Sequence, residues 1–426
     1  MEVIADLHMH SKYSRATSKN LIFENIEKYA KIKGLSLVGT GDFTHPKWIQ
    51  EIKTKLTEKD DSGIYQTKTG FPFLLQSEIS LMYKWNGKGR KIHNVILAPN
   101  LKVVDQITEY LLTKGRVDYD GRPIFGIPCP EFTEALMQIS KDIEIIPAHT
   151  WTPHFGVFGS EGGFNTLKEC FEEQVKNIHG IETGISADPA MCWRVPELDN
   201  YSILSFSDSH SFWPWRIGRE ATLFDVKELT YKSIIQSIRN NTIAGTIEAD
   251  PSYGKYHIDG HRACNVRLEL KDSEKINNIC PKCKKKLTLG VLHRIEQLAK
   301  RPEGYKHSNS KPFHTLLPLH EVIANVFDKG LGTNAVQTEA NKLFALGSEL
   351  DVLLNIPLKI IEKTTSTNIA KAIALNRIGK VKILPGYDGE YGIPIFNDTK
   401  EKRQLIENYF TKISEKDKLQ KELDEY

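Results

Sequence analysis

Short apolar stretches recur along the first half of the chain, and residue types that bind metals stand beside nearly all of them. Seven stretches have the length and composition of buried strands, namely residues 3–5, 35–38, 73–75, 95–97, 143–146, 180–181 and 202–206. Segments such as 23–30 and 167–171 carry apolar residues three and four positions apart, which predicts helices. This alternation favours an α/β fold with parallel strands and crossover helices.

The pattern changes near residue 246, and 426 residues exceed the size of one ordinary core. Apolar spacing predicts helices over 228–242, 319–327, 335–344 and 368–377, and a Gly-rich turn over 385–392. We therefore expect a metal-binding α/β barrel over 1–245, a cysteine-containing module over 246–300, a helical region over 301–398 and a charged tail over 399–426.

Ligand-type residues at the ends of many strands indicate a barrel whose strands converge on one polynuclear metal site. His8 and His10 lie two positions apart at a strand end, where both side chains point the same way and can bind one ion. The other strand-end residues of this kind are Asp6, Asp42, His45, Glu78, His93, His149, Glu182, Asp208 and His210. Such mixed imidazole and carboxylate sets suit Zn²⁺, Mn²⁺ or iron.

A single His-x-His pair is more often a satisfied polar pair than a metal site. The whole series is different, because burying so many carboxylates and imidazoles without a cation is unfavourable.

The six cysteines divide into three scattered residues and one cluster. Cys280 and Cys283 have the spacing of a zinc knuckle, and Cys264 supplies a third thiolate. A tetrahedral structural site needs a fourth ligand, for which His261 is best placed and His257 is the alternative. Three free buried thiols are the competing interpretation.

The net charge of +3 neither requires nor excludes a nucleic-acid partner, because acidic ligands can mask a basic face elsewhere. A basic run surrounds the knuckle, and two arginines follow the last predicted strand. These candidate phosphate contacts are Lys282, Lys284, Lys285, Lys286, Arg216 and Arg219. No apolar run approaches the ~20 residues needed to cross a bilayer, so we expect a cytoplasmic protein with no membrane partner.

The first-half motifs resemble the polymerase-and-histidinol-phosphatase (PHP) domain. They are residues 6–11, 40–46 and 207–210 with Glu78, His93 and His149. The resemblance implies a distorted seven-stranded barrel that holds three metals for phosphoester hydrolysis. It implies a first metal on His8, His10, Glu78 and Asp208, a second on Glu78, His93 and His149, and a third on Asp42, His45 and His210. The first set would be the catalytic residues, with Mg²⁺ or Mn²⁺ as alternatives to Zn²⁺.

A longer resemblance covers about residues 1–395 and includes segments 254–264, 287–294, 347–349 and 385–392. These segments are similar to endonuclease Q. That family is expected to nick DNA on the 5′ side of uracil, hypoxanthine, xanthine and abasic sites, leaving a 3′-hydroxyl and a 5′-phosphate. Turning a damaged base into a pocket would need aromatic residues, for which the candidates are Trp48, Trp151, Phe155, Trp193 and Phe212.

Two other functions remain open at this point. A small-molecule phosphoesterase of the histidinol-phosphatase kind needs no zinc module, and a DNA-binding scaffold with an inactive barrel need not keep the whole ligand set. A further candidate partner is the sliding clamp, because the segment from Arg403 to Phe410 resembles a clamp-binding peptide in Ile406, Tyr409 and Phe410. An amphipathic helix packed on its own domain shows the same spacing.

Overall fold

The computed structural model describes residues 1–397 and 399–412, so half of the charged tail predicted over 399–426 lies outside the described residues. The strands are β1 (Glu2–Asp6), β2 (Leu37–Gly39), β3 (Thr57–Glu58), β4 (Ile64–Gln66), β5 (Pro72–Leu74), β6 (Gln76–Trp85), β7 (Lys88–Leu97), β8 (Ile124–Phe125), β9 (Glu144–Pro147), β10 (Gly180–Glu182), β11 (Ser202–Leu204), β12 (Ala221–Asp225), β13 (Gly245–Glu248), β14 (Asp259–His261), β15 (Val266–Leu268), β16 (Phe313–Thr315), β17 (Lys382–Leu384) and β18 (Ile393–Ile395). Each of the seven predicted strands overlaps an observed strand, namely β1, β2, β5, β7, β9, β10 and β11.

A helix is present in each segment where the apolar periodicity predicted one, on both sides of residue 246. The helices are α1 (Phe23–Lys33), α2 (Pro46–Lys55), α3 (Leu101–Lys114), α4 (Cys129–Ile139), α5 (Leu167–Phe171), α6 (Pro189–Cys192), α7 (Tyr231–Arg239), α8 (Leu270–Lys275), α9 (Val291–Leu298), α10 (Leu319–Phe327), α11 (Asn334–Phe344), α12 (Glu349–Leu354), α13 (Leu358–Thr364), α14 (Thr367–Arg377) and α15 (Lys400–Glu407). Among the described residues, no helix combines the length and apolar character needed to span a membrane.

The strands of the first half lie in three hydrogen-bonded sheets. The largest has the order β16-β13-β12-β1-β2-β5-β4-β3, with β1, β2 and β5 parallel to one another. The second has the order β8-β6-β7-β9, and β10 pairs in parallel with β11. The expectation of a mixed α/β fold is confirmed, but the parallel pattern is interrupted by the long antiparallel β6–β7 hairpin.

One apolar core lies beneath the strands of all three sheets. Alternate residues of β1 and the turn after it enter this core, together with side chains from β2, β5, β7, β9, β11 and β12. Helix α7 adds Tyr231, Ile234, Ile235 and Ile238 to the same cluster, so it covers one end of the strands. The neighbouring residues of β1 and its turn, Asp6, His8 and His10, are left for polar contacts, as the two-residue period of a strand requires.

The C-terminal region packs directly on helix α1. Gly34 ends α1 with φ +100°, and a Cβ added there would lie 2.7 Å from Ser348 Oγ, so both the conformation and the contact require glycine. Next to it, Lys33 Nζ lies 2.5 Å from Glu349 Oε1, and both side chains are buried. Glu349 Oε1 also accepts a hydrogen bond from the Leu319 N–H, so one carboxylate joins α1, α10 and α12.

Lys33→Met is expected to lower the free energy of unfolding by about 3–5 kcal/mol, because it leaves the Glu349 carboxylate buried without its cation. The double variant Lys33→Met/Glu349→Gln should recover most of that loss. The Gln amide oxygen is uncharged and can still accept the Leu319 N–H bond. Urea denaturation of the three proteins tests this, and a Lys33→Met protein as stable as the wild type would contradict it.

Candidate metal centre and cleft

Four predicted ligands from three parts of the chain meet at one end of the strands. His8 and His10 follow β1, Glu78 lies in β6 and Asp208 follows β11, and their ligand atoms lie within 4.8 Å of one another. His10 Nε2 lies 3.2 Å from Glu78 Oε2 and 3.1 Å from Asp208 Oδ1. His8 Nε2 is buried and finds no hydrogen-bond partner in the described part of the chain. A buried nitrogen that lacks a hydrogen-bond partner and faces carboxylates is well placed to bind a metal ion.

Glu78 is shared with a second group that contains His93 and His149. Its Oε1 lies 2.6 Å from His93 Nδ1 and 3.3 Å from His149 Nε2, whereas its Oε2 faces the first group. Glu78 and His93 lie diagonally across the β6–β7 hairpin, in which Glu78 pairs with Val95. Both residues therefore lie inside long strands. The sequence pattern had predicted that they lie at strand ends.

The predicted third set is more spread out than the other two. Within the described residues, Asp42, His45 and His210 do not come together as one group of ligand atoms. Asp42 Oδ1 lies 3.1 Å from His10 Nδ1, and the His45 ring stacks on Tyr13 with the ring centroids 4.5 Å apart. His45 is the residue before α2, and this position turns its ring toward Tyr13.

Three of the candidate residues have a backbone conformation that side chains rarely adopt. The φ angles of Asp42, His149 and Asp208 are +43°, +30° and +46°. Such conformations are unfavourable and persist where the surrounding structure fixes them, most often at functional sites. The main chain therefore aims these side chains into the cluster at a cost in stability.

The ligand histidines of the cluster differ in pKa: nearby carboxylates outweigh burial and raise the pKa of His8, His10 and His149, whose protons a bound cation would displace. Burial lowers the pKa of His93 to about 4, so its imidazole is neutral at physiological pH, the form that binds metals. Burial alone would raise the pKa of Glu78, but the adjacent His93, Arg122 and His8 lower it well below its usual range. Burial alone would also raise the pKa of Asp208, but neighbouring groups, of which His210 has the largest effect, lower it well below its usual range. The carboxylates are thus ionised.

Two further residues contact the candidate ligands from behind or beside them. Glu182, at the end of β10, lies 2.9 Å from His8 Nδ1 and accepts a hydrogen bond from the His149 N–H at 3.1 Å. Arg122 Nη1 lies 3.0 Å from Glu78 Oε2. The sequence indicated Glu182 only as a strand-end carboxylate, and no local pattern marks Arg122.

Glu182→Gln is expected to weaken metal binding by about 10- to 100-fold, the usual cost of losing an outer partner of a metal-bound histidine. The neutral amide holds the His8 ring less firmly. Glu144→Gln is the matched control, because Glu144 is also buried and lies 2.9 Å from His179 Nδ1, away from the cluster. Calorimetric titration of the metal-free proteins with Mn²⁺ measures the affinity of each variant. Equal affinities for both variants would contradict the role of Glu182.

The cysteine module brings its four predicted ligands together. His261, Cys264, Cys280 and Cys283 offer ligand atoms within 4.8 Å of one another, and His261 Nδ1 lies 3.4 Å from Cys283 Sγ. The alternative ligand, His257, is not part of this group. Short strands β14 and β15 carry His261 and lead into and out of the Cys264 turn, and the Cys280 N–H donates to the Lys285 carbonyl.

The predicted phosphate contacts have different surroundings. Lys282, Lys284, Lys285 and Lys286 are exposed around the knuckle, and Lys282 Nζ donates to the Cys264 carbonyl at 2.9 Å. Arg216 lines a cleft beside the metal cluster. Arg219 is half-buried and lines the same cleft, and its guanidinium donates to the Ser207 carbonyl and the Tyr391 hydroxyl.

The cleft has a volume of about 680 Å³ and is lined by candidate ligands and by residues of the second half of the chain. Of the predicted base-pocket aromatics, only Phe155 lines it, with its ring 4.2 Å from that of His93. The other four are buried in the protein, namely Trp48, Trp151, Trp193 and Phe212. Trp48, for example, stacks on Phe23 and donates to the Thr40 carbonyl.

Parts of the chain match a family model and an uncharacterized protein. Residues 318–380 match the family model described as the MJ0043 C-terminal domain. The uncharacterized protein MJ0043 of Methanocaldococcus jannaschii is 35% identical over 250 residues, which are 57% of this chain and only 31% of that protein.

Two crystal structures match nearly the whole chain at 33% identity. The lesion-specific endonuclease PfuEndoQ from Pyrococcus furiosus has a TM-score of 0.82, with 97% of this chain and 100% of that chain covered. Endonuclease Q in complex with a 27-mer duplex substrate, with an abasic lesion at the active site, has a TM-score of 0.85, with 93% and 97% covered. The fold and the ligand groups define an α/β protein with a candidate polynuclear metal centre. The chain belongs to the endonuclease Q family.

Proposed function

We propose that this protein is a metal-dependent DNA endonuclease that cuts the phosphodiester on the 5′ side of deaminated bases and abasic sites. The observation that carries the proposal is the shared Glu78, whose two oxygens face two groups of ligand atoms at the wall of an open cleft. The near-complete match to endonuclease Q supports the choice of damaged DNA as substrate.

We assign the two groups of ligand atoms to two metal ions. His8, His10, Glu78 and Asp208 would hold one ion, and Glu78, His93 and His149 a second. When bound, the ions supply the Lewis-acid chemistry that hydrolysis of a phosphodiester needs. Zn²⁺ fits the imidazole-rich sets best, and Mn²⁺ or Mg²⁺ is a candidate for the turnover metal.

The surrounding residues position the ligands and the substrate. In this arrangement the His8 Nδ1–H donates a hydrogen bond to the Glu182 carboxylate. His8 Nε2 then carries no proton and faces the cluster. Arg122 lies beside Glu78 and lines the cleft, so its guanidinium is placed to neutralise a phosphate that enters. Phe155 offers an aromatic face in the same cleft for an extruded base, whose removal from the helix costs a few kcal/mol.

The finer architecture is also a proposal. We assign residues 1–245 to a seven-stranded barrel, because strands of three sheets share one apolar core closed by α7. We assign 246–300 to a zinc ribbon on His261, Cys264, Cys280 and Cys283, and 301–398 to a helical region that braces α1. The exposed lysines beside the knuckle would then add positive charge to the surface that meets the DNA backbone.

The clamp-binding role of the segment from Arg403 to Phe410 has less support than the packing role. Tyr409 is 3% exposed, its hydroxyl donates to the Pro385 carbonyl, and the Arg267 guanidinium lies 4.5 Å from its ring centroid. A peptide that binds a clamp needs this side chain free. We propose that the segment packs on its own domain.

A side-by-side rate comparison tests the function against the phosphatase alternative. The enzyme with Mn²⁺ receives an abasic duplex, an undamaged duplex and histidinol phosphate at equal concentrations. We expect nicking of the abasic duplex at a rate far above the other two. Hydrolysis of the phosphomonoester with intact DNA would favour the small-molecule phosphoesterase, and binding of DNA without cutting would favour the inactive scaffold.

A further inference from the structure

The Gly-rich turn 385–392 is fixed to the segment that precedes the cysteine module. Three glycine N–H groups of the turn donate to carbonyls of residues 252–255, from Gly386, Gly389 and Gly392 to Ser252, Lys255 and Tyr253 at 2.8, 3.0 and 3.0 Å. A Cβ on Gly386 would overlap the Gly254 carbonyl oxygen, so this close approach requires glycine. These hydrogen bonds fix the position of the turn, and with it the side chains near its C-terminal end.

The side chain that the turn delivers to the cleft is Tyr391. Its hydroxyl accepts a hydrogen bond from Arg219 Nη1 at 3.0 Å, and its ring stacks on Tyr253 with centroids 5.2 Å apart. The Lys255 ammonium lies 4.7 Å from the ring centroid and the Arg216 guanidinium 5.1 Å. Both distances are those of cation–π contacts, which hold a long basic side chain in one place.

These three cations differ in what they can still bind. Arg219 lines the cleft, but its Nη1 and Nη2 already donate to the Tyr391 hydroxyl and to the Ser207 carbonyl, beside Asp208. Arg216 and Lys255 line the same cleft and lie over the face of the Tyr391 ring. We call Arg216 and Lys255 the rim pair.

The charge around the rim pair is positive. Burial alone would raise the pKa of Tyr391, but Arg219, Arg216 and Lys255 together lower it to about 8. The Glu321 carboxylate lies 3.5 Å from Arg216 Nη1 and also accepts a hydrogen bond from the Tyr253 hydroxyl. The cleft wall also holds Asp208 and Glu220, and burial raises the pKa of Glu220 well above its usual value, so the neutral form of Glu220 is favoured beside these cations.

We propose that the rim pair, held against the Tyr391 ring, binds one backbone phosphate of the substrate strand next to the phosphate that is cut. This inference rests on the proposed function and adds a positioning role for Tyr391. Lysine and arginine contacts to phosphates fix the register of a nucleic acid without reading its sequence. The rim pair would thus set which phosphodiester lies over the metal cluster.

Single methylphosphonate substitutions along a lesion-containing strand test the inference. Each removes one backbone charge, and KM and kcat for nicking are measured with each substrate. One position beside the cut should raise KM of the wild type about tenfold, as expected for one lost phosphate contact, but raise KM of Lys255→Gln by less than about twofold. Arg262→Gln is the matched control, because Arg262 is exposed and contacts Glu390 on the same turn. It should keep the full wild-type sensitivity.

The ring itself is tested with two substitutions at position 391. Tyr391→Phe keeps the cation–π surface and should stay within about threefold of the wild-type KM, whereas Tyr391→Leu should raise KM about tenfold with little change in kcat. Thermal melts show whether each variant is folded.

Several outcomes overturn the inference. If every methylphosphonate affects Lys255→Gln as much as the wild type, the rim pair binds no phosphate. If Tyr391→Leu folds and keeps the wild-type KM, the ring has no positioning role. A wild-type enzyme that nicks no lesion substrate at all would instead refute the proposed function.

Discussion

Asp208→Ala is expected to lower the rate of DNA nicking by more than about 100-fold, since losing a metal ligand should exceed the 10- to 100-fold cost of losing an outer partner. Asp208 Oδ1 lies 3.1 Å from His10 Nε2 inside the first ligand group. Binding of lesion-containing DNA should remain within about threefold of the wild type, because the basic residues that bind phosphates are untouched.

The matched control is Asp225→Ala, which removes an exposed aspartate at the end of β12 that contacts the chain's N-terminal amine. It should leave both nicking and binding unchanged. Single-turnover nicking and fluorescence anisotropy provide the two measurements. An Asp208→Ala enzyme that nicks at more than a few per cent of the wild-type rate would remove Asp208 from the metal centre.

Cys280→Ser is expected to release one tightly bound zinc per chain and to unfold the cysteine module. The group of ligand atoms around Cys280 joins β14, β15 and the knuckle, and only a small apolar cluster supports them. Zinc binding contributes roughly 10–16 kcal/mol of folding free energy in such small modules. Lesion binding should weaken with the loss of this surface.

Cys170→Ser provides the comparison for metal content, because Cys170 is a buried cysteine of α5 outside the ligand group. Its zinc content should equal that of the wild type. Metal analysis by mass spectrometry and limited proteolysis of residues 246–300 measure both effects. Unchanged zinc content in Cys280→Ser, with normal nicking, would show that the four residues are not a zinc site.

The strands and most of the ligand set were predictable because both depend on short-range periodicity. A strand alternates its side chains, so the residues after β1 fall into an apolar set and a polar set that contains His8 and His10. The grouping of His261 with the three cysteines could be predicted, because their spacing is the one that a tetrahedral metal site requires.

The β6–β7 hairpin was missed, although the sequence contains a signal for it. Asn86 and Gly87 join the two strands with φ +49° and +75°, the conformation of a two-residue hairpin turn. Because this pair was not recognised, Glu78 and His93 were placed at strand ends.

Other features could not be predicted because they depend on contacts between distant parts of the chain. Arg122 contacts Glu78 across 44 positions, and Tyr391 contacts Arg219 across 172. The position of the His45 ring against Tyr13 has a local origin, since the chain turns at Gly41 and Asp42 just before it.

The most direct test of the proposed function uses one labelled duplex that contains a single deoxyuridine, incubated with the enzyme and Mg²⁺ or Mn²⁺. We expect one nick on the 5′ side of the deoxyuridine, with a 3′-hydroxyl and a 5′-phosphate, and no cut in the same duplex with thymidine. Equal cutting of both duplexes, or of neither, would contradict it.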